Sequence, residues 1–379
     1  MPDLKDLIID DKKRGIFRVH RSTMTSPDIY ELERDRIFDH TWQYVGHESE
    51  VSNPGDYVRR PVNGRPVFMA RGRDGQVRVF LNVCPHRGAV ICRTDKGNAR
   101  VFQCFYHAWT FNTEGQLIGV PDEEQYSAFF DRAERALEQP PRVESYRGFY
   151  FLSWDPEIED LITYLDDSRL WFDDFIDRNA DANGEIQIIH GSMKLNIHGT
   201  WKVLIENTVD SYHFGPTHAT FIQYAASIRH ERFGEGEVPM RERLKQQFGF
   251  DLGHGRGHMS NARTDIVGNG GNGQDESAHV GRFRREAVTR YGTMAANIGS
   301  FAGNFLISPY VLFPHGNSIR LFWPVSPTET EVTVWLAAPK YEPPGDARHE
   351  RVREYILAQY VAGFQSPDAY SGSVARSVI

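Results

Sequence analysis

The chain has 379 residues, with 43 basic and 51 acidic side chains, a formal charge of −8, and is 40% hydrophobic and 25% charged. That length allows two or three domains and a core that needs no disulfides, and the composition excludes a disordered chain. No apolar run approaches the roughly 18 residues of a membrane span, the N-terminal MPDLKDLIIDDKK has no signal-peptide layout, and the mild acidity disfavours nucleic acid. The expectation is a cytoplasmic protein with no membrane or nucleic-acid partner. Cys84, Cys92 and Cys104 are too few for a disulfide framework and point to metal or to nothing.

Along the chain, Ser26-Pro27 predicts a helix start, with serine as N-cap and proline in the first turn. The helix is expected through IYELERDRIFDHTW, burying Ile29, Leu32, Ile37 and Phe38. From residue 45 the pattern changes to short alternating strands, punctuated at Asn53-Pro54-Gly55, Asn63-Gly64, Asp74-Gly75 and Glu114-Gly115. RGFYFLSWDP closes this module, with Pro156 at the boundary. Residues 160–180 read as helix, EIQIIHGSMKLNIHGTWKV as strands, and 203–224 as helix. IVGNGGNGQDES (266–277) reads as a mobile loop, either a lid or a plain insertion. FLISPYVLFPHG, SIRLFWPV and EVTVWLAAPKY predict three antiparallel strands, and DARHERVREYILAQYVAGF a charged amphipathic helix. The fold class is therefore α+β: an all-β domain at 45–156 and an antiparallel-sheet domain with packed helices at 157–379. Residues 1–44 form a helical segment belonging to the second domain.

Within the β-domain, Cys84-Pro85-His86 and Cys104-Phe105-Tyr106-His107 form C-x-H and C-x-x-H pairs. Two such loops can grip a binuclear cluster, the cysteines on one iron and the histidines on the other; imidazole in place of thiolate raises the potential toward that of an electron relay. Gly88 is expected to allow a close backbone approach. Zinc is the rival occupant of a Cys₂His₂ set, although C-x-H is tighter than a zinc-finger layout. CPHRG and CFYHAW resemble the Rieske [2Fe–2S] motif; Cys92 has no place in it and reads as a buried thiol. Arg87, Arg93, Lys96 and Arg100 around these loops are either a dock for an acidic electron donor or a solvated rim.

Downstream lie Trp201-Lys202, Glu206-Asn207, Asp210, Tyr212-His213 and His218. Histidines five apart on a regular helix point about 140° apart, but Pro216 would break the helix and let an irregular turn bring both onto one ion. Asp210, three residues before His213, lies on the same helical face and is placed to hydrogen-bond that histidine. The bland alternative is two unrelated histidines near a helix end. Two histidines and a carboxylate form the facial triad of non-haem Fe(II) oxygenases. Val209, Phe214 and Phe221 either line an apolar pocket or simply pack, Trp201 belongs to the core, and the remaining histidines are structural or on the surface.

The pattern WK…EN-x-x-D-x-YH-x₄-H resembles the catalytic domain of Rieske-type aromatic-ring-hydroxylating oxygenases. The resemblance covers nearly the whole chain, and the N-x-x-D-x-Y-H spacing looks like the group acting on benzoate, anthranilate or salicylate. It implies a [2Fe–2S] cluster on Cys84, His86, Cys104 and His107, and mononuclear Fe(II) on His213, His218 and an aspartate. Asp210 then has a catalytic part, linking this iron to a Rieske histidine of a neighbouring subunit. Asp368 is the candidate third ligand, although a gap-free count puts Ala369 there and the chain ends at Ile379, sooner than in the family.

The resemblance further implies a large oxygenase subunit that uses O₂ to convert an aromatic ring, of an aromatic acid, to a cis-dihydrodiol. A homotrimer is expected, with or without a small β subunit. No G-x-G-x-x-G fingerprint is present, so electrons come from a ferredoxin, an NADH-dependent reductase, or both. No arginine is identified for a substrate carboxylate. The alternatives are a Rieske monooxygenase or demethylase, and a silent subunit with an incomplete iron site.

Overall fold

In the computed structural model the described residues are 4–189, 191–210, 213, 217, 247–252, 255–263, 278–292, 304–314 and 317–341. The chain divides into two compact units, one of Arg34–Tyr164 and one of Met1–Glu33 with Leu165–Ile379.

The Arg34–Tyr164 unit contains three antiparallel sheets. The four-stranded one has β4 (Asp56–Val62), β5 (Arg65–Arg71), β6 (Val77–Leu81) and β7 (Lys96–Asn98) in the order β6-β5-β4-β7. Asn63 and Gly64, with φ of 46° and 71°, make the tight turn joining β4 to β5, as the Asn-Gly pair predicts. A second sheet joins β8 (Phe102–Gln103), β9 (Thr110–Phe111) and β10 (Leu117–Gly119). The third joins β3 (Gln43–His47), β11 (Arg142–Tyr146) and β12 (Phe149–Ser153).

The two-residue period of β5 separates two cores. Val67 and Met69 pack with Val45, Val51 and Leu152. Phe68 and Ala70 face the other way, among Phe80, Cys84, Cys104 and Trp109. The sheet thereby gives the cysteine loops a dry, aromatic floor.

The other unit opens with a hairpin, β1 (Ile8–Asp11) and β2 (Ile16–Val19), then α1 (Ser22–Thr25) and α2 (Pro27–Arg36). The helix starts where Ser26-Pro27 predicts but ends sooner: Ile29 is buried, Ile37 is exposed, and Phe38 is buried from a separate 3₁₀ turn at Phe38–His40. Asp39 accounts for the break, because its carboxylate is held by Arg65 at 2.6 and 2.9 Å and by Asn63. The expected 160–180 helix is two helices, α3 (Leu161–Leu165), which ends the Arg34–Tyr164 unit, and α4 (Ser168–Asn179) in this one.

The large sheet is antiparallel, with β13 (Ile186–Ile188), β15 (Gln247–Asp251), β16 (Met259–Arg263), β17 (Phe305–Ile307), β18 (Val311–Phe313), β19 (Ser318–Ser326) and β20 (Glu329–Pro339) in the order β13-β20-β19-β18-β17-β16-β15. An eighth strand, β14 (Met193–Ile197), also pairs with β20. FLISPYVLFPHG supplies two strands rather than one, since Pro309 has no N–H to continue a ladder. Phe305 and Phe313 stack at 4.6 Å and receive Phe172 and Phe175 of α4.

Two further helices, α5 (Trp201–Val209) and α6 (Ala278–Tyr291), belong to this unit. The glycine-rich loop and the C-terminal amphipathic helix lie outside the described residues. Among the described residues no helix is long and apolar enough to cross a membrane.

Candidate metal centres

The two cysteine loops share one backbone design. In the first, Cys84 N–H donates to Ala89 O at 2.8 Å and Gly88 N–H to Cys84 O at 2.9 Å. In the second, Cys104 N–H donates to Trp109 O at 2.8 Å and Ala108 N–H to Cys104 O at 2.9 Å. Closing so small a ring requires a left-handed fifth residue, and Gly88 (φ 74°) and Ala108 (φ 55°) supply it. Gly88 is thus needed for its backbone angle, and beyond its chain neighbours no protein atom lies within 4 Å of where its Cβ would stand.

These loops bring the predicted donors together as two pairs, cysteine with cysteine and histidine with histidine, and among the described residues no three His, Cys, Asp or Glu side chains gather as on a single ion. Cys84 and Cys104 are buried, and the His86 and His107 rings lie 4.6 Å apart at 66°. Each imidazole is half-buried, yet its Nδ1 is sealed from solvent with no protein partner. A buried, unpaired ring nitrogen costs about 1–3 kcal/mol. Burial pushes the Cys84 thiol up to about 11, with the neighbouring Cys104 adding to the rise against backbone N–H groups of His86 and Arg87 that lower it. The His86 imidazole is shifted down by burial, then by His107 and Arg87. A buried thiol pair, with Cys84 resisting ionisation, and two orphaned imidazole nitrogens fit a metal group that supplies positive charge and takes these side chains as ligands.

Two supporting residues were missed from the sequence. Asn82 is fully buried; its Oδ1 accepts from Ile91 N–H at 3.2 Å and Cys92 N–H at 2.7 Å, and its Nδ2 donates to Cys92 O at 2.9 Å. It ties the chain on either side of the first loop. The only signal was an asparagine two residues before the first cysteine. The second is Trp109, stacked on His86 at 4.7 Å and 6°. Cys92 is the buried thiol expected, pushed up to about 12 chiefly by burial. Arg87, Arg93, Lys96 and Arg100 are all exposed, and Arg93 covers the Phe105 ring at 4.9 Å.

In the other unit, α5 is anchored at its start by Glu33, which accepts from Trp201 Nε1 at 3.0 Å and pairs with Lys202. Near its end, Thr208 O accepts from Asn304 Nδ2 at 2.7 Å. Trp201 is buried, as expected of a core residue. The helix stops at Val209, and Asp210 is extended at ψ 118°. Asp210 therefore does not share a helical face with His213. It reaches that ring from the helix end, its Oδ2 accepting from His213 Nδ1–H at 3.0 Å and from the His213 backbone N–H at 3.3 Å. A carboxylate on Nδ1 leaves Nε2 as the nitrogen available to a metal. Thr217 N–H donates to His213 O at 2.9 Å, a single helical turn. His218 and Asp368 lie outside the described residues, as do Phe214 and Phe221. His258 is buried and accepts from Ser308 N–H at 2.9 Å, a structural role.

A β-module with paired Cys/His loops, joined to a helix-bearing antiparallel sheet with an Asp–His pair, has the layout of a Rieske-type iron–sulfur protein with a second domain. Comparison with known proteins agrees: the family model for the Rieske [2Fe-2S] domain matches residues 41–146, and that for the ring hydroxylating alpha subunit (catalytic domain) matches residues 189–369. The chain is 31% identical to toluate 1,2-dioxygenase subunit alpha of Pseudomonas putida over 96% of its own length and 79% of that protein's. It is likewise 31% identical to the 2-halobenzoate 1,2-dioxygenase large subunit of Burkholderia cepacia, over 96% and 77%. Naphthalene 1,2-dioxygenase from Rhodococcus sp. bound to indole superposes with a TM-score of 0.74 at 26% identity, covering 95% of this chain and 82% of that one.

The chain belongs to the ring-hydroxylating oxygenase large subunits. It is an oxidoreductase whose cofactors are a Rieske cluster and a mononuclear iron, with O₂ as cosubstrate.

Proposed function

We propose that this protein is the terminal oxygenase of a 1,2-dioxygenase system, converting an aromatic carboxylic acid to its cis-dihydrodiol in the cytoplasm. The observation that carries this is the pairing of two features in one chain: the Cys/His loops with two orphaned Nδ1 atoms, and the Asp210–His213 pair at the end of α5. The similarity to toluate and halobenzoate dioxygenase subunits along 96% of the chain favours a ring bearing a carboxylate.

Cys84, Cys104, His86 and His107 hold the cluster, and His213, His218 and Asp368 hold the mononuclear iron. When bound, the cluster supplies single electrons and the iron supplies the oxygen chemistry. The protein's part is positional. Asp210 fixes the tautomer and plane of His213, and the dry floor of Phe68 and Phe80 beneath the cysteine loops excludes water. The chain works as a homotrimer, with or without a small β subunit, and electrons come from a ferredoxin or an NADH-dependent reductase. Asp210 also lies on the route by which an electron from His107 of one subunit reaches His213 of the next.

The test is iron and acid-labile sulfide on anaerobically prepared protein, followed by turnover of benzoate under ¹⁸O₂ with a surrogate reductase. About three irons and two sulfides per chain are expected, with both labelled atoms in the product. About two irons with two sulfides would leave only the Rieske site and overturn the oxygenase reading. One labelled atom in the product would replace dioxygenation by monooxygenation.

A further inference from the structure

Trp109 carries more than its place in the core requires. Its carbonyl closes the second cysteine loop by accepting from Cys104 N–H at 2.8 Å, while its indole lies flat against the histidine of the first loop, 4.7 Å from His86 and within 6° of parallel. The residue is only 3% exposed. Behind it, Phe130 at 5.8 Å and Tyr126 at 6.3 Å stand edge-on and hold the indole in place. His107 meets His86 at 66°, so the indole is the only aromatic ring stacked parallel to this imidazole among the described residues. The indole N–H is buried with no protein acceptor. A phenylalanine would give an apolar wall without leaving a buried donor unpaired, so the indole carries a local cost.

We propose that Trp109 is a positioning residue for the cluster, holding the plane of His86 and keeping water off that face of the imidazole, and thereby setting the reduction potential. The inference rests on the reading that His86 is a cluster ligand. The sign follows from charge. With two ferric irons, two sulfides and two thiolates the oxidised group is neutral, and one electron from a ferredoxin-class donor leaves it with one negative charge. A low-dielectric wall disfavours the charged, reduced form. Removing the wall admits water and raises the potential.

Two variants of the full-length protein test this, Trp109→Leu, which abolishes the stack, and Trp109→Phe, which keeps a smaller ring. Each is loaded with iron and sulfide and titrated against redox dyes at one neutral pH, with the EPR spectrum of the reduced form recorded. Trp109→Leu is expected to favour the reduced form about tenfold, about 59 mV for one electron. Trp109→Phe is expected to shift the equilibrium about threefold in the same direction, and the EPR anisotropy should change in the same order. Trp109→Phe decides the matter if Trp109→Leu does not load. Loaded variants that titrate at the wild-type potential, or below it, would overturn the inference. Absence of a Rieske spectrum from the wild-type protein would instead overturn the assignment of His86 as ligand.

Discussion

At His213 a single carboxylate decides which ring nitrogen carries the proton. Asp210 takes both the Nδ1–H and the backbone N–H of that residue, although its own side chain is 45% exposed. Outer partners of this kind are typically worth 10- to 100-fold in metal affinity or activity. Asp210→Ala should therefore lower product formation by about that factor while the Rieske spectrum is unchanged; wild-type turnover in the variant would remove Asp210 from the machinery. Cys92 gives a pH dependence. Its thiol has an ordinary value of 9.0 and is pushed up to about 12 in the fold. Between those values the unfolded chain loses this proton and the folded one keeps it, so stability falls as pH rises from 9 toward 12, by up to about 1.4 kcal/mol per pH unit. Urea unfolding at pH 8 and pH 10 should show a smaller alkaline loss for Cys92→Ala than for wild type. Equal losses would mean the thiol titrates normally.

The cysteine loops depend on what brackets them. Asn82, at the end of β6, has no solvent exposure and makes three hydrogen bonds to Ile91 and Cys92. Asn82→Ala strips the partners from buried backbone groups, and about 3 kcal/mol of stability should be lost in chemical denaturation, together with a weaker hold on cluster iron. A variant as stable as wild type would show that water replaces the amide. At the other centre, α5 is clamped near both ends. Glu33 takes Trp201 and Lys202 at its start, and Asn304 takes the Thr208 carbonyl near its finish. That double anchorage fixes where the helix stops and so where Asp210 can reach.

For the whole molecule, the proposed route passes electrons between subunits, and mixed assemblies test it. On the proposed ligand sets, Cys104→Ser chains would lack a cluster but keep the iron site, and His213→Ala chains would have the reverse defect. In a cyclic trimer assembled at random from equal amounts, one interface in four places an intact cluster beside an intact iron site. About a quarter of wild-type turnover is then expected from two inactive proteins. No recovered turnover after co-assembly, verified by mass, would confine electron transfer to a single chain.

Much of this was written in the chain because it is local. The C-x-H and C-x-x-H pairs, the Asn63-Gly64 turn and the start of α2 at Pro27 depend on neighbours a few residues apart, where residue chemistry and backbone preference suffice. The Asp210–His213 contact was legible too, but for the wrong reason: spacing on a helix suggested it, whereas the helix ends and an extended aspartate makes it. The early end of α2 was not legible, because Asp39 finds Arg65 and Asn63 only once the sheet has formed. Nor was the pairing of Trp109 with His86, since nothing within either loop says which ring the other will meet. The sequence by itself determined the family and the class of chemistry, for motif spacing and residue type are local properties. Tertiary structure alone decided which nitrogens are sealed and unpartnered, which ring is stacked and which amide closes the loop, because burial and contact depend on segments distant in the chain.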